Sequence, residues 1–294
     1  MRFQPLTSQL LRISPRPKFH NWLLVLVIGI VLGSGHLQSD RATAAAPASK
    51  APTATPTPAS NAPAPLQQAL TQIDAAANSK NLKAVLEFYS PNFTHSDGLN
   101  RQALEQALTA LWKQYPNLTY RTELKSWQPI ANGFQAETAT YITGTQTIDG
   151  QQVKLDAMLR AKQRFENQKI VQQEILAERN QITSGDKPPT VKVVLPEQVK
   201  AGQEFSFDAI VQEPLGGDLL LGTVVDEPVT STGYLKPATA DLQLLTSGGL
   251  FKVGKAPNKP SSQWISAVLV RNGGMTMVTQ RLRVTAGNPA RSTK

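Results

Sequence analysis

The chain has 294 residues, 30 basic and 21 acidic side chains, three histidines and no cysteine. The missing thiols exclude disulfides, an acylated lipoprotein cysteine and thiol catalysis. His20 and His36 fall in an N-terminal leader, so the body holds His95 alone, which excludes a histidine-built metal cluster within one chain.

Residues 1–21 carry Arg2, Arg12, Arg16 and Lys18 with no acid and run into the apolar block WLLVLVIGIVLG from Trp22 to Gly33. A charged stretch followed by an apolar one is the pattern of an export signal, and the block is short of the roughly 18–20 residues that span a bilayer. Residues 1–44 are therefore read as a signal peptide or an N-terminal membrane anchor. Ala42-Thr43-Ala44 and Ala44-Ala45-Ala46 both offer cleavage sites. Basic residues ahead of the block place the body across the membrane, in a bacterial periplasm or an equivalent lumen. Without residues 1–46 the balance is 25 basic against 20 acidic groups, and residues 66–180 are nearly neutral, which argues against a nucleic-acid partner. Membrane contact is expected only through residues 22–35.

Residues 45–65 are rich in Ala and Pro, hold one charge at Lys50 and have almost nothing to bury, as in a semi-rigid tether. Two domains fit the length that remains. In the first, residues 66–182, Leu66, Leu70, Ile73 and Ala77 mark a helix face. Leu82, Val85, Leu86 and Tyr89 mark a second, with Asn81 as cap and Pro91 as stop. A third runs from Arg101 to Tyr115 behind Asn100. The period then falls to two: Leu118, Tyr120, Thr122 and Leu124 alternate with polar residues, as do Val153, Leu155, Ala157, Leu159 and Ala161. NGFQAETATYITGTQT and KIVQQEILAER supply two more strands, with ENQK as the turn between the last pair. Three helices followed by a meandering sheet give an α+β domain.

The stretch from Leu66 to Trp112, with strands ending in RFENQKIVQQEI, resembles the SnoaL-like, nuclear transport factor 2-like superfamily over about residues 66–180. The resemblance implies a cone in which helices and a curved antiparallel sheet enclose an apolar pocket, frequently dimerised through the sheet. A linker at 183–189 leads to a second domain, residues 190–286, ahead of a disordered tail at 287–294. Its short β-branched runs TVKVVL, EFSFDAIV, GDLLLGTVV, DLQLL, LFKV, QWISAVLV and TMVTQRLRV resemble an all-β immunoglobulin-like sandwich, a small barrel being the alternative. RNGG at 271–274 is read as a hairpin turn with positive φ at Asn-Gly.

His95 and Asp97 stand in what reads as a loop between two helices. As a catalytic pair, Asp97 would orient His95 as general base. As local structure, Pro91 stops one helix, Asp97-Gly98 turns and Asn100 caps the next. Strand parity places Glu123, Asp156 and Glu174 on the wet face, leaving Tyr120, Thr122, Gln173, Thr138 and Thr140 inward without a base at neutral pH. With Tyr89 and Trp112 these define the expected pocket lining: Tyr89, Trp112, Tyr120, Thr122 and Gln173. GLFKVGKA, from Gly249 to Ala256, spaces its glycines and lysine like a phosphate loop, but lacks the Ser or Thr and is followed by PNKP instead of a helix. NFT and NLT match glycosylation sequons, relevant only in a eukaryotic secretory pathway. The expected protein is an exported, non-enzymatic binding or assembly protein without metal or cofactor. Its first domain would bind a small apolar ligand or form a homodimer, and its second would contact a protein or polysaccharide. The alternatives are a small-molecule isomerase, cyclase or hydratase using His95 and Asp97, and a purely structural envelope module.

Overall fold

The computed structural model describes residues 57–231 and 241–287. The leader, most of the expected tether and nearly all of the expected tail lie outside the described residues. The described residues begin inside the predicted tether, where β1 (Thr57–Pro58) pairs with Trp127 and Ser126 and a 3-10 turn (Ala59–Asn61) follows. No described helix is long and apolar enough to cross a membrane.

Helix α1 (Ala64–Asn78) starts behind Pro63, with Pro65 in its first turn, where no helical amide is lost. Asn81 caps α2 (Leu82–Glu87), its side chain accepting from the Ala84 amide at 3.0 Å. The helix ends at Glu87, not at Pro91. Residues 89–95 form strand β2 (Tyr89–His95), parallel to a later strand, so His95 sits at a strand end and not in an open loop. Tertiary pairing wins there because Tyr89 and Phe93, T-shaped at 5.0 Å, are both buried. Asn100 caps α3 (Arg101–Gln114), accepting from Ala103 at 2.9 Å.

Four long strands follow: β3 (Asn117–Ile130), β4 (Gly133–Ile148), β5 (Gln151–Glu166) and β6 (Lys169–Ser184). Asn167 and Gln168 turn between β5 and β6 with positive φ. Thr183 and Ser184, expected in a linker, complete β6, whose C-terminal half then pairs with the last strand of the chain. The remaining strands are β7 (Val191–Val194), β8 (Gln198–Lys200), β9 (Glu204–Val211), β10 (Leu221–Pro228), β11 (Gln243–Leu244), β12 (Gly249–Lys255), β13 (Ser261–Arg271) and β14 (Gly274–Thr285). In the β13–β14 turn, Gly273 supplies the positive φ alone; Asn272 stays on the ordinary side.

Among the described residues both units thus share one eleven-stranded sheet, with β6 bonded to β14 at its centre, and the described chain is mostly β. Helices cover one face of the first unit's half. The three-stranded sheet β12-β9-β7 covers the opposite face of the second unit's half. That gives two packed layers, each with its own core. The core under the helices also takes Val268, Met275 and Met277 from the second unit, so apolar packing crosses the seam.

Candidate functional site

Pairing registers fix which side chains face the helices. Leu155, Ala157, Leu159 and Ala161 are buried along β5, while Lys154, Asp156 and Lys162 are exposed. Glu123 lies outside between Arg121 and Lys125, whose hydrogen bonds hold its pKa down to about 2. Glu174 reaches Arg283 on the outer face at 3.2 Å.

Several inward polar residues of the first unit pair with one another. Trp112 Nε1 donates to the Tyr120 hydroxyl at 2.9 Å, and burial pushes the Tyr120 pKa up. Burial also raises that of Tyr89, to about 12. Thr122 Oγ1 lies 3.0 Å from Thr140 Oγ1 and donates to Asp74 Oδ1 at 2.7 Å, while its amide donates to Asp74 Oδ2 at 2.6 Å. Asn78 bonds both the amide and the carbonyl of Tyr120, so α1 seals the edge of β3. Gln173 accepts from Gln163 at 3.3 Å. Tyr89, Trp112 and Tyr120 belong to the continuous core. A cavity of about 230 Å³ remains by Leu66, Phe134 and Phe165.

His95 and Asp97 do come together, and a third residue, Arg281, joins them. The His95 Nδ1 accepts the Asp97 amide at 3.1 Å and lies 3.7 Å from the Asp97 carboxylate. Burial pushes the imidazole pKa down to about 4, against the pull of Asp97 and with the help of Arg281. At neutral pH the ring is thus a neutral acceptor fixed on backbone. The carboxylate of Asp97 is gripped by Arg281 from β14: Nη1 to Oδ1 at 3.0 Å and Nη2 to Oδ2 at 2.8 Å, a two-pronged fork. The same guanidinium turns its Nε and Nη2 to Glu178 Oε2, at 3.1 and 2.9 Å. Trp264 Nε1 donates to that oxygen at 3.1 Å, and Asn180 Nδ2 serves the other at 3.1 Å. The Trp264 ring packs under the guanidinium and against Leu99 and Ala103.

Side chains of Arg281 and Glu178 are 1 % exposed, and that of Asp97 4 %. This ion cluster is where the two units lock. Taking these charges from water costs several kcal/mol per ion, repaid only because each is bonded on several sides.

Parity reasoning misses Glu178. Counted by simple alternation from Glu174 it faces water, but a bulge at Leu176 leaves Ile175 opposite Ala161 and moves Glu178 opposite Leu159, on the inner face. Asp74 is missed because it comes from a helix. Arg281 had no local signal; only the hairpin register opposite Trp264 puts it there.

Outside the core under the helices, the seam opens a cleft of about 750 Å³ between the β4–β5 turn, the end of β6 and the β13–β14 turn. A trough of about 520 Å³ along the outer sheet face shares Lys154 and Thr183 with it. Among the described residues no cluster of His, Asp and Glu could hold a metal ion.

Residues 186–285 match the model of a domain of unknown function, DUF8623, about a third of the chain. No curated protein matches. Solved structures similar to part of the chain include an uncharacterized cystatin-fold protein from Novosphingobium aromaticivorans at 13 % identity, over 37 % of this chain and 94 % of that one, TM-score 0.28. Others are a nuclear transport factor 2-like protein of unknown function from Exiguobacterium, at 18 % over 38 % and 95 %, TM-score 0.27, and a Delta 5-3-ketosteroid isomerase from Mycobacterium, at 12 % over 38 % and 91 %, TM-score 0.27. At such scores they say nothing about this chain's activity.

Proposed function

We propose that the chain is an exported binding or assembly protein that uses its outer surfaces, and that the interior of the first unit is structural. The observation that carries this reading is the fork of Arg281 on Asp97. It consumes the carboxylate that would have oriented His95, and burial keeps His95 neutral. Glu178 and Asp74, the carboxylates that face inward, each hold fixed partners. General base catalysis needs a group free to take a proton near the working pH, and these are all engaged.

Size points the same way. Ligand sites usually measure about 300–1,000 Å³. The apolar cavity by Phe134 and Phe165 falls below that range, and the seam cleft lies within it. The cleft is lined by polar groups of Gln151, Gln152, Thr183 and Ser184, with Lys154, Asp186 and Arg271 at hand, and by the apolar side chains of Pro188, Val270 and Met275. A segment of a protein or glycan, which carries polar and apolar groups side by side, suits this mixed lining better than a wholly apolar small molecule, and the cleft exists only when both units are joined. The leader would place this surface beyond the inner membrane, anchored or released.

The test uses full-length protein in mild detergent. Ketosteroids, polyketides and lactones are expected to pass unchanged. Turnover lost in His95→Gln or Asp97→Asn overturns the reading. A photo-crosslinker at Gln152 is expected to capture an envelope component that the same probe at exposed Lys83 does not; equal capture at both sites counts against the cleft.

A further inference from the structure

The chain enters the first unit near one end of the shared sheet, and the seam cleft opens at the other. β1 is antiparallel to β3, with Pro58 opposite Ser126 and Thr57 opposite Trp127. Followed backwards from Pro58 to Thr57, its first described residue, the chain moves towards Ile130 and the β3–β4 turn. Register carries that level across the sheet: Trp127 stands opposite Ala136, and Ala136 opposite Gln163 near the end of β5. The cleft is lined from the start of the same strand, at Gln151, Gln152 and Lys154. At about 3.3 Å per residue, the stretch of β5 from Gln152 to Gln163 separates the two levels by about 35 Å.

The second unit has the same polarity. β14 begins beside the cleft at Gly274 and runs antiparallel to β6, away from the cleft, to Thr285. Thr57 and Thr285 therefore both lie towards the end of the sheet that the cleft does not occupy.

Two features of the sequence turn this polarity into an orientation. Between the apolar block and Thr57 stand residues Ser34 to Pro56. Extended at about 3.1 Å per residue they reach about 70 Å, enough to lift the body clear of a bilayer that holds the leader. Residues 66–180 are nearly neutral, so net charge does not draw the first unit onto anionic lipid. A body held by one end beside a surface it cannot enter keeps its opposite end outward.

We propose that the membrane-anchored chain presents the seam cleft away from its own bilayer, to a partner that stands beyond the membrane surface and is not embedded in it. This deepens the binding reading above and rests on it for the role of the cleft. Lipids of the anchoring bilayer are poorly placed to reach the lining at Gln152 and Ser184, whereas a component further out is well placed.

Because the chain has no cysteine, one introduced thiol takes one dye. Full-length Ala131→Cys and Gln152→Cys, both at exposed positions, are labelled and inserted through the leader into liposomes that carry an acceptor dye on their lipid headgroups. Energy transfer is expected to be at least about twofold stronger from position 131 than from position 152, because about 45 Å of strand separates them. Duplicating residues 45–56 should lower both signals and keep their order. Equal transfer from the two positions, stronger transfer from 152, or signals that the longer tether leaves unchanged overturn the proposal, since the body would then lie on the bilayer or turn the cleft towards it. So does recovery, from bacteria expressing the full chain, of a protein cut between the apolar block and Thr57. None of these results bears on binding by the cleft, which fails separately if the cross-linkers at Gln152 and Lys83 capture alike.

Discussion

Two polar clusters among the described residues, one partly buried and one fully buried, are built on opposite principles. The one under the helices, Trp112–Tyr120 and Asp74–Thr122–Thr140, is made within one unit, and its single carboxylate, Asp74, bonds an amide and a hydroxyl and no cation. The other, Asp97–Arg281–Glu178, is ionic and joins two strands with the turn ahead of α3, Asp97 and Arg281 standing 184 positions apart. Neutral pairs satisfy polar atoms and could be exchanged for apolar packing at small cost. A buried ion cluster fixes how its carriers meet, since any other docking strands a charge.

The largest effect should come from removing the cation. Arg281→Met leaves Asp97 and Glu178 buried together and is expected to cost about 3–5 kcal/mol, read as a lowered midpoint in denaturant melts. Adding Asp97→Asn and Glu178→Gln should recover a good part of the loss. If the triple variant is as unstable as the sum of its single changes, the cluster does not act as a unit.

Acid should reach the same cluster through His95. Its folded pKa of about 4 lies below the ordinary 6.5, so between these values the unfolded chain binds the proton and the folded one does not. Stability therefore falls as pH drops from about 6.5 to about 4, by up to about 3 kcal/mol from this group. Carboxylates add their own slopes, so the informative quantity is the difference between the wild-type and His95→Gln curves. Parallel curves would mean that the imidazole is not buried in the neutral form.

The neutral cluster should respond least. Tyr120→Phe strands the buried Trp112 Nε1 and is expected to cost about 1–3 kcal/mol with no change in pH profile. A pH-dependent loss between 4 and 6.5 would show that the two clusters are coupled.

Much of the architecture was legible one residue at a time. Asn81 and Asn100 announce their helices, and the alternation from Val153 to Ala161 reports the wet and dry faces of β5. Such signals are local: a cap bonds an amide three residues on, and a strand face repeats every second residue. The candidate pair His95–Asp97 was visible as well, but its two readings, catalytic dyad or turn and cap, both left out Arg281. The apolar face of Tyr89 read as a helix continuing to Pro91 because it satisfies a helical spacing and a buried strand equally.

By itself the sequence determined the three α-helices, most of the strands and their order, the apolar faces of β3 and β5, and the lack of cysteine. Tertiary structure alone decided that β6 joins β14 into a shared sheet, that a single extra residue at Leu176 turns Glu178 inward, and that Arg281 closes on Asp97. The physical reason is distance along the chain. Periodicity and capping are interactions between near neighbours, whereas strand register, a bulge and a buried ion cluster are settled only when remote segments compete for the same partners.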